Sequence, residues 1–142
     1  MNSVERPAPA CLRMGRTRAT ADWTAFAADF LPEALLYPSA RLVTSQNVSA
    51  FLTRMKQLPL HTFHEDLLGA FVRVFGNVAI VMAACEITEN SEKKSRGVEA
   101  LLLIKDQGQW KIASQAWDIA NDMTIPEDLL SAEAFISNKR PR

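Results

Sequence analysis

The chain has 142 residues, 48% hydrophobic and 23% charged, with 16 basic and 16 acidic side chains. That length suits one domain able to bury a core without covalent staples. A formal charge of zero excludes the basic footprint of a nucleic-acid binder, and no apolar run reaches the ~18 residues of a membrane-spanning helix.

Residues 1–19 carry Arg6, Arg13, Arg16 and Arg18 against the single acid Glu5, a composition faintly like a transit peptide. Pro7, Pro9 and Gly15 break any amphipathic helix there, so the segment is expected to be a flexible arm. The domain proper is expected over 20–122, followed by a helix and basic tail over 123–142. From Asp22, the residues Trp23, Phe26, Ala27 and Phe30 form the apolar stripe of a short helix that Pro32 ends. Ala34-Leu35-Leu36-Tyr37 reads as a short strand stopped by Pro38. Ser45 is positioned to cap a second helix, with Val48, Phe51, Leu52 and Met55 on one stripe and Pro59 closing it.

From His61 the period becomes that of strands. Residues 62–75 and 78–88 flank Gly76-Asn77, a pair suited to a tight hairpin turn. Asn90 to Ser95 reads as a solvated loop. Strands at about 96–104 and 110–119 meet around Gly108. Thr124-Ile125-Pro126-Glu127 has capping-box spacing and predicts a short C-terminal helix. Cys11 lies in the arm and Cys85 inside an apolar strand. No disulfide framework follows from that pair, and a reducing cytoplasm fits best.

Pairing outward from Gly76-Asn77 places Phe71, Phe75, Val78, Ile80 and Met82 on one face, with Val72, Val74, Ala79, Val81 and Ala83 on the other. Both faces are apolar, so both need cover. Two short helices cover one of them. The other predicts contact with a second copy of the chain, or cover by the arm and the C-terminal helix.

The order of helix, short strand ending in Pro, helix and long sheet resembles the nuclear transport factor 2-like superfamily, which includes SnoaL-like proteins and ketosteroid isomerase. Asp22-Trp23, Phe30 to Ala34, Phe75 to Val81, Lys105 to Ile112 and Gln115 to Trp117 carry the resemblance, over roughly residues 20–120. It implies an α+β fold in which a curved antiparallel sheet wraps short helices into a cone that holds a small ligand. The other sheet face often pairs subunits in such proteins. The long first helix of that family is not readable before Asp22.

The isomerase of that superfamily uses an Asp base beside an oxyanion hole of Tyr and protonated Asp. Its base precedes a Pro, a place held here by Tyr37 before Pro38, and its protonated Asp falls near Ala100. The resemblance therefore carries over neither base nor acid. It implies a pocket face of Val98, Ala100, Leu102, Ala113, Gln115 and Trp117, with Tyr37 near the mouth and Glu99 facing away.

Read from the residues alone, the face of Glu99 depends on the turn at Gly108, which pairs Ile104 with either Gln109 or Trp110. Glu99 is then a pocket carboxylate, or one partner of an ion pair with Arg73 or Lys111, or part of a wet dimer rim. His61 and His64 point to opposite strand faces, so no metal site is expected. His64 is the domain's near-neutral proton carrier. The glycines are not spaced to hold phosphate, and no cofactor is expected. These residues predict a homodimer that binds a small, largely apolar molecule. If it catalyses, the expected chemistry is isomerase, dehydratase or cyclase proton transfer by Glu99 or His64. The rival reading is a protein-association module with a vestigial pocket.

Overall fold

The computed structural model describes residues 23–38, 43–57, 63–89, 93–120 and 123–130. The expectations for the arm, for His61 and for the basic tail lie outside the described residues. The elements run α1 (Trp23–Ala28), β1 (Phe30–Tyr37), β2 (Gln46–Asn47), α2 (Val48–Gln57), β3 (Phe63–Phe75), β4 (Val78–Glu89), β5 (Lys93–Asp106) and β6 (Gln109–Ile119). Over residues 123–130 the chain forms a 3-10 turn, Glu127–Leu129, to which Pro126 offers no side-chain cap, and the rest of the expected C-terminal helix lies outside the described residues.

The strands form one six-stranded sheet in the order β2-β1-β6-β5-β4-β3. All neighbours are antiparallel except β1 and β6, which run parallel. The architecture is the expected α+β cone, a curved sheet against short helices. Helix α1 is shorter than its stripe implied, because Phe30 begins β1 and Pro32 lies within that strand. Strand pairing there overrides the helical period, and β1 sits where Pro costs little ladder bonding. Asn47, not Ser45, caps α2: its Oδ1 accepts the Ala50 N–H at 2.7 Å.

Both hairpin turns contain two residues. Phe75 pairs with Val78 around Gly76-Asn77, where Gly76 alone takes positive φ (58°). Asp106 pairs with Gln109 around Gln107 (φ 52°) and Gly108 (φ 83°). Positive φ at both centres is the signature of a type I′ turn, whose twist matches that of the strands. Ile104 consequently pairs with Lys111, a register different from both expected ones.

The inner face packs Val72, Ala79, Val81, Ala83, Leu101, Leu103 and Ile112 against Phe26, Phe30 and the apolar stripe of α2. Fully buried Phe26, Leu36, Val72 and Val81 each contribute roughly 1.5–3 kcal/mol of transfer free energy. Lys111 Nζ donates to the Ala28 carbonyl at 2.6 Å and Ile112 N to Asp29 at 2.8 Å, tying the end of α1 to β6. On the outer face, Ile125 and Leu129 cover Ala84 beside Phe71 and Val98. Phe75, Val78, Ile80, Met82, Leu102 and Ile104 remain exposed there.

Candidate functional site

Two β-bulges decide which polar side chains enter the cone. In β3, Leu67 pairs with Cys85 and Gly69 with Ala84, leaving Leu68 unpaired. An extra residue reverses the alternation of side chains beyond it. Ala70 and Val72 face inward on one side of this bulge, and Leu67 and Glu65 face inward on the other. In β6, Ser114 pairs with Leu102 and Ile112 with Leu103, so Ala113 is the extra residue. Gln115 and Trp117 thereby share the inner face with Leu101 and Glu99, their partners across the ladder.

The result is a polar band crossing four strands. Glu65 on β3 and Glu99 on β5 are 6% and 3% exposed, the only buried charged residues among those described. Cys85, fully buried on β4, lies between them. One ligand atom each from Glu65, Cys85 and Glu99 falls within 4.8 Å of the others. Gln115 Nε2 donates to Glu99 Oε2 at 3.0 Å. Gln115 Oε1 is also buried, without a hydrogen-bond partner. Burial, and then the nearby charge of Glu99, pushes the Glu65 carboxyl well above the usual carboxylate range. A carboxyl pushed toward its neutral form beside a second, hydrogen-bonded carboxyl is an arrangement suited to storing a proton. To act as metal donors, the same groups must first lose theirs.

Gly97 shapes one wall. A Cβ at this position would lie 2.5 Å from the Asp118 carbonyl oxygen and 2.6 Å from the Trp117 ring. The missing side chain is the space into which the indole lies, two residues along β5 from Glu99.

These positions correct the expected pocket face. Glu99 faces inward with Gln115 and Trp117, whereas Val98, Ala100 and Leu102 belong to the outer face. The Ala113 bulge is the physical reason: counting along β6 without it couples Gln115 and Trp117 to the wrong residues of β5. Tyr37 pairs with Ala116 and also lies outward. With Ala100, Leu102, Ile80 and Met82 it lines an open groove of about 470 Å³ that reaches Gln115 at its base. Val98 and Ala100 contribute, with Met82, Ile125 and Leu129, to a second outer groove of about 320 Å³. Tyr37 and Glu99 are therefore not brought together.

Arg73 lies on the outer face with its guanidinium 5.1 Å from the Phe71 ring centroid, and Lys111 is bound to Ala28; neither is placed as the ion-pair partner expected for Glu99. The His64 side chain lies outside the described residues. Glu65 was missed by sequence reasoning, because strict alternation turns it outward. The neighbouring Gly69 was the available signal, since an isolated glycine in a strand often marks a bulge.

A six-stranded sheet that wraps short helices and carries polar groups on its inner face defines the cone architecture of the nuclear transport factor 2-like and cystatin-like folds. Comparison with solved structures places this chain in that fold. A nuclear transport factor 2-like protein of unknown function from Pseudomonas putida superposes with a TM-score of 0.65 at 11% identity, covering 80% of this chain and 81% of that one. A protein provisionally assigned as a ketosteroid isomerase from Parabacteroides distasonis gives 0.58 at 19% identity, covering 73% and 80%. The CaMKII hub of S. rosetta gives 0.58 at 21%, covering 70% and 82%. No family model and no curated protein matches the sequence. Identities this low establish the fold and leave the chemistry to be argued from the site.

Proposed function

We propose that the protein binds a small, largely apolar molecule inside the cone, against the band of Glu65, Glu99 and Gln115, and that Glu99 moves a proton there. The observation carrying this reading is the Gln115–Glu99 hydrogen bond on the inner face. It holds a carboxylate in a fixed orientation in an apolar interior, where such a group is costly unless it is used. The other described core residues include Ala, Val, Leu, Ile and Phe, with the Trp117 indole as one wall, which suits an uncharged molecule. Glu99 stands one residue from Ala100, the place where the isomerase resemblance put an acid, so the count slips by one and the chemistry returns. The reaction class supported is isomerisation, dehydration or cyclisation. Glu99 accepts a proton from substrate, and the neutral Glu65 carboxyl is the adjacent donor. His64 is the second proton carrier to test. Cys85, buried and outside any disulfide, suits a reducing compartment such as the cytoplasm.

Native mass spectrometry of freshly purified protein tests the binding, with a bound small molecule as the expected result. If that molecule turns over, Glu99→Gln lowers kcat by 10²–10⁴-fold, the usual scale of general acid–base catalysis. Protein that stays ligand-free through purification from several hosts overturns the reading.

One observation favours a second function, association through the outer face. The exposed stripe of Phe75, Val78, Ile80, Met82, Leu102 and Ile104 is a continuous apolar patch of the kind that pairs subunits. A homodimer formed through this face is compatible with the interior site, since the two use opposite sides of one sheet.

A further inference from the structure

Leu36 is buried in the core, and the ladder sets one glutamine on each side of it. Gln46 is its partner on β2 and Gln115 its partner on β6. Residues paired across a ladder share a face, so both glutamines turn inward with Leu36. The same row continues through Leu101, Val81 and Val72 and crosses all six strands. Its two polar members stand at one end, two strands apart, or about 9.5 Å between Cα atoms at ordinary strand spacing.

The two amides share a second property. Gln46 Oε1 and Gln115 Oε1 are buried without a hydrogen-bond partner, the only such side-chain atoms among the described residues. Chemistry fixes the orientation of Gln115, because the amide nitrogen is the end that donates to Glu99 Oε2. Its oxygen is thereby held away from that carboxyl, as an acceptor that no protein group meets. A buried amide oxygen in this condition is costly, and a donor brought by a ligand removes the cost. A ligand carbonyl or ether at the same place sets acceptor against acceptor. Helix α2 is the cover that has to move. It follows directly on Gln46-Asn47, lies against β1 and β2, and contains no fully buried side chain. Val48, Phe51, Leu52 and Met55 meet the core only half-buried. An element held by so little buried apolar surface opens more readily than the body of the sheet.

We propose, building on the interior binding site described above, that its ligand is an apolar molecule with two hydroxyl or N–H donors. Gln115 Oε1 holds one donor beside Glu99, Gln46 Oε1 holds the other, and the ligand enters when α2 lifts. Gln115 thus places one end of the molecule next to the Glu99 carboxyl, and Gln46 reads its far end. The Leu36 side chain between them faces the hydrocarbon body of the ligand.

Hydroquinone and its mono- and dimethyl ethers are probes of one ring with two, one and no donors. Their dissociation constants for the full chain are to be measured by ligand-observed NMR in reducing buffer. The expected result for the wild type is a loss of at least about tenfold in affinity for each donor methylated. Gln46→Leu should bind hydroquinone and the monomethyl ether alike. Equal affinity of the wild type for all three probes overturns the donor requirement and leaves interior binding standing. A preference that survives Gln46→Leu overturns the role of Gln46. Failure of all three to bind overturns the proposal, and native mass spectrometry then decides interior binding separately. Gln46→Met gives a decision without any ligand. It replaces an unpaired oxygen by apolar atoms of similar volume, so a thermal midpoint equal to or above that of the wild type is expected. A lower midpoint shows that the Gln46 amide is engaged in the closed protein and overturns the proposal.

Discussion

Gln115 Nε2 donates to Glu99 Oε2 at 3.0 Å although the two residues lie on different strands, diagonal to one another across the β5–β6 ladder. The contact exists because Ala113 is an extra residue in β6. A hydrogen bond to a charged acceptor contributes about 1.5–3 kcal/mol. Gln115→Met keeps the volume and removes the donor. It should lower the unfolding free energy at pH 7 by that amount in urea titration. A loss under about 0.5 kcal/mol would mean that Glu99 is held by other groups.

Deleting Ala113 makes a sharper test of the same geometry. The ladder on either side of the bulge is already in step on β5, Ile112 with Leu103 and Ser114 with Leu102, so the shortened strand pairs without a bulge and keeps Gln115 and Trp117 on the inner face. The expected readout is tryptophan emission like that of the wild type. A red-shifted emission with an early unfolding midpoint would show that the side chains are not placed by this register.

Gly97 and Trp117 yield a prediction about shape. A methyl group at 97 meets backbone at 2.5 Å and the indole at 2.6 Å, so Gly97→Ala forces the ring or the strand to move. Overpacking of this kind costs typically 1–3 kcal/mol. Destabilisation accompanied by altered Trp117 emission is expected, with Gly97→Ala, Trp117→Phe partly restoring stability. No change in either quantity would contradict the close approach.

The parts of the fold legible in the sequence were those with a local chemical cause. Gly76-Asn77 marked its turn, and alternation beside it sorted Val72, Ala79 and Val81 from Phe75, Val78 and Ile80 correctly. The candidate site was less legible, because two bulges carry the parity of β3 and β6 and neither Leu68 nor Ala113 differs chemically from its neighbours. One unseen residue in each strand was enough to place Glu65 outside, Glu99 away from Gln115, and Tyr37 in the same pocket as Trp117. Gly69 and Gly97 were the traces left in the sequence, one beside a bulge and one beneath an indole. Pro32 misled for a different reason: it stops a helix as readily as it sits in β1, and only pairing with β6 distinguishes the two.

The turn at Gln107 offers a gain in stability. Its φ of 52° is uncommon for a residue other than Gly, Asn or Asp, and the turn is of the type that favours Asn-Gly. Gln107→Asn relieves that cost without touching the core and should raise the unfolding free energy by about 0.5–1 kcal/mol. An unchanged or lower thermal midpoint would argue against left-handed backbone at this position.

The outer stripe permits a direct test of subunit pairing. Ile80 opposes Leu102 and Val78 opposes Ile104, so β4 and β5 present two apolar rungs side by side, flanked by Met82. The 3-10 turn covers Ala84 and Val98 at one end of the face and leaves these rungs open. A stable interface needs about 800 Å² from each partner. Sedimentation at micromolar concentration should give a dimer for the wild type and a monomer for the double variant Ile80→Lys, Leu102→Lys. Buried lysines at the centre of such a contact are strongly disfavoured, whereas on a free surface they are neutral or solubilising. Two monomeric proteins of equal stability would assign the stripe to something other than self-association. Monomeric variant protein that retains the Glu99-dependent properties of the interior would show that the two faces of the sheet act separately.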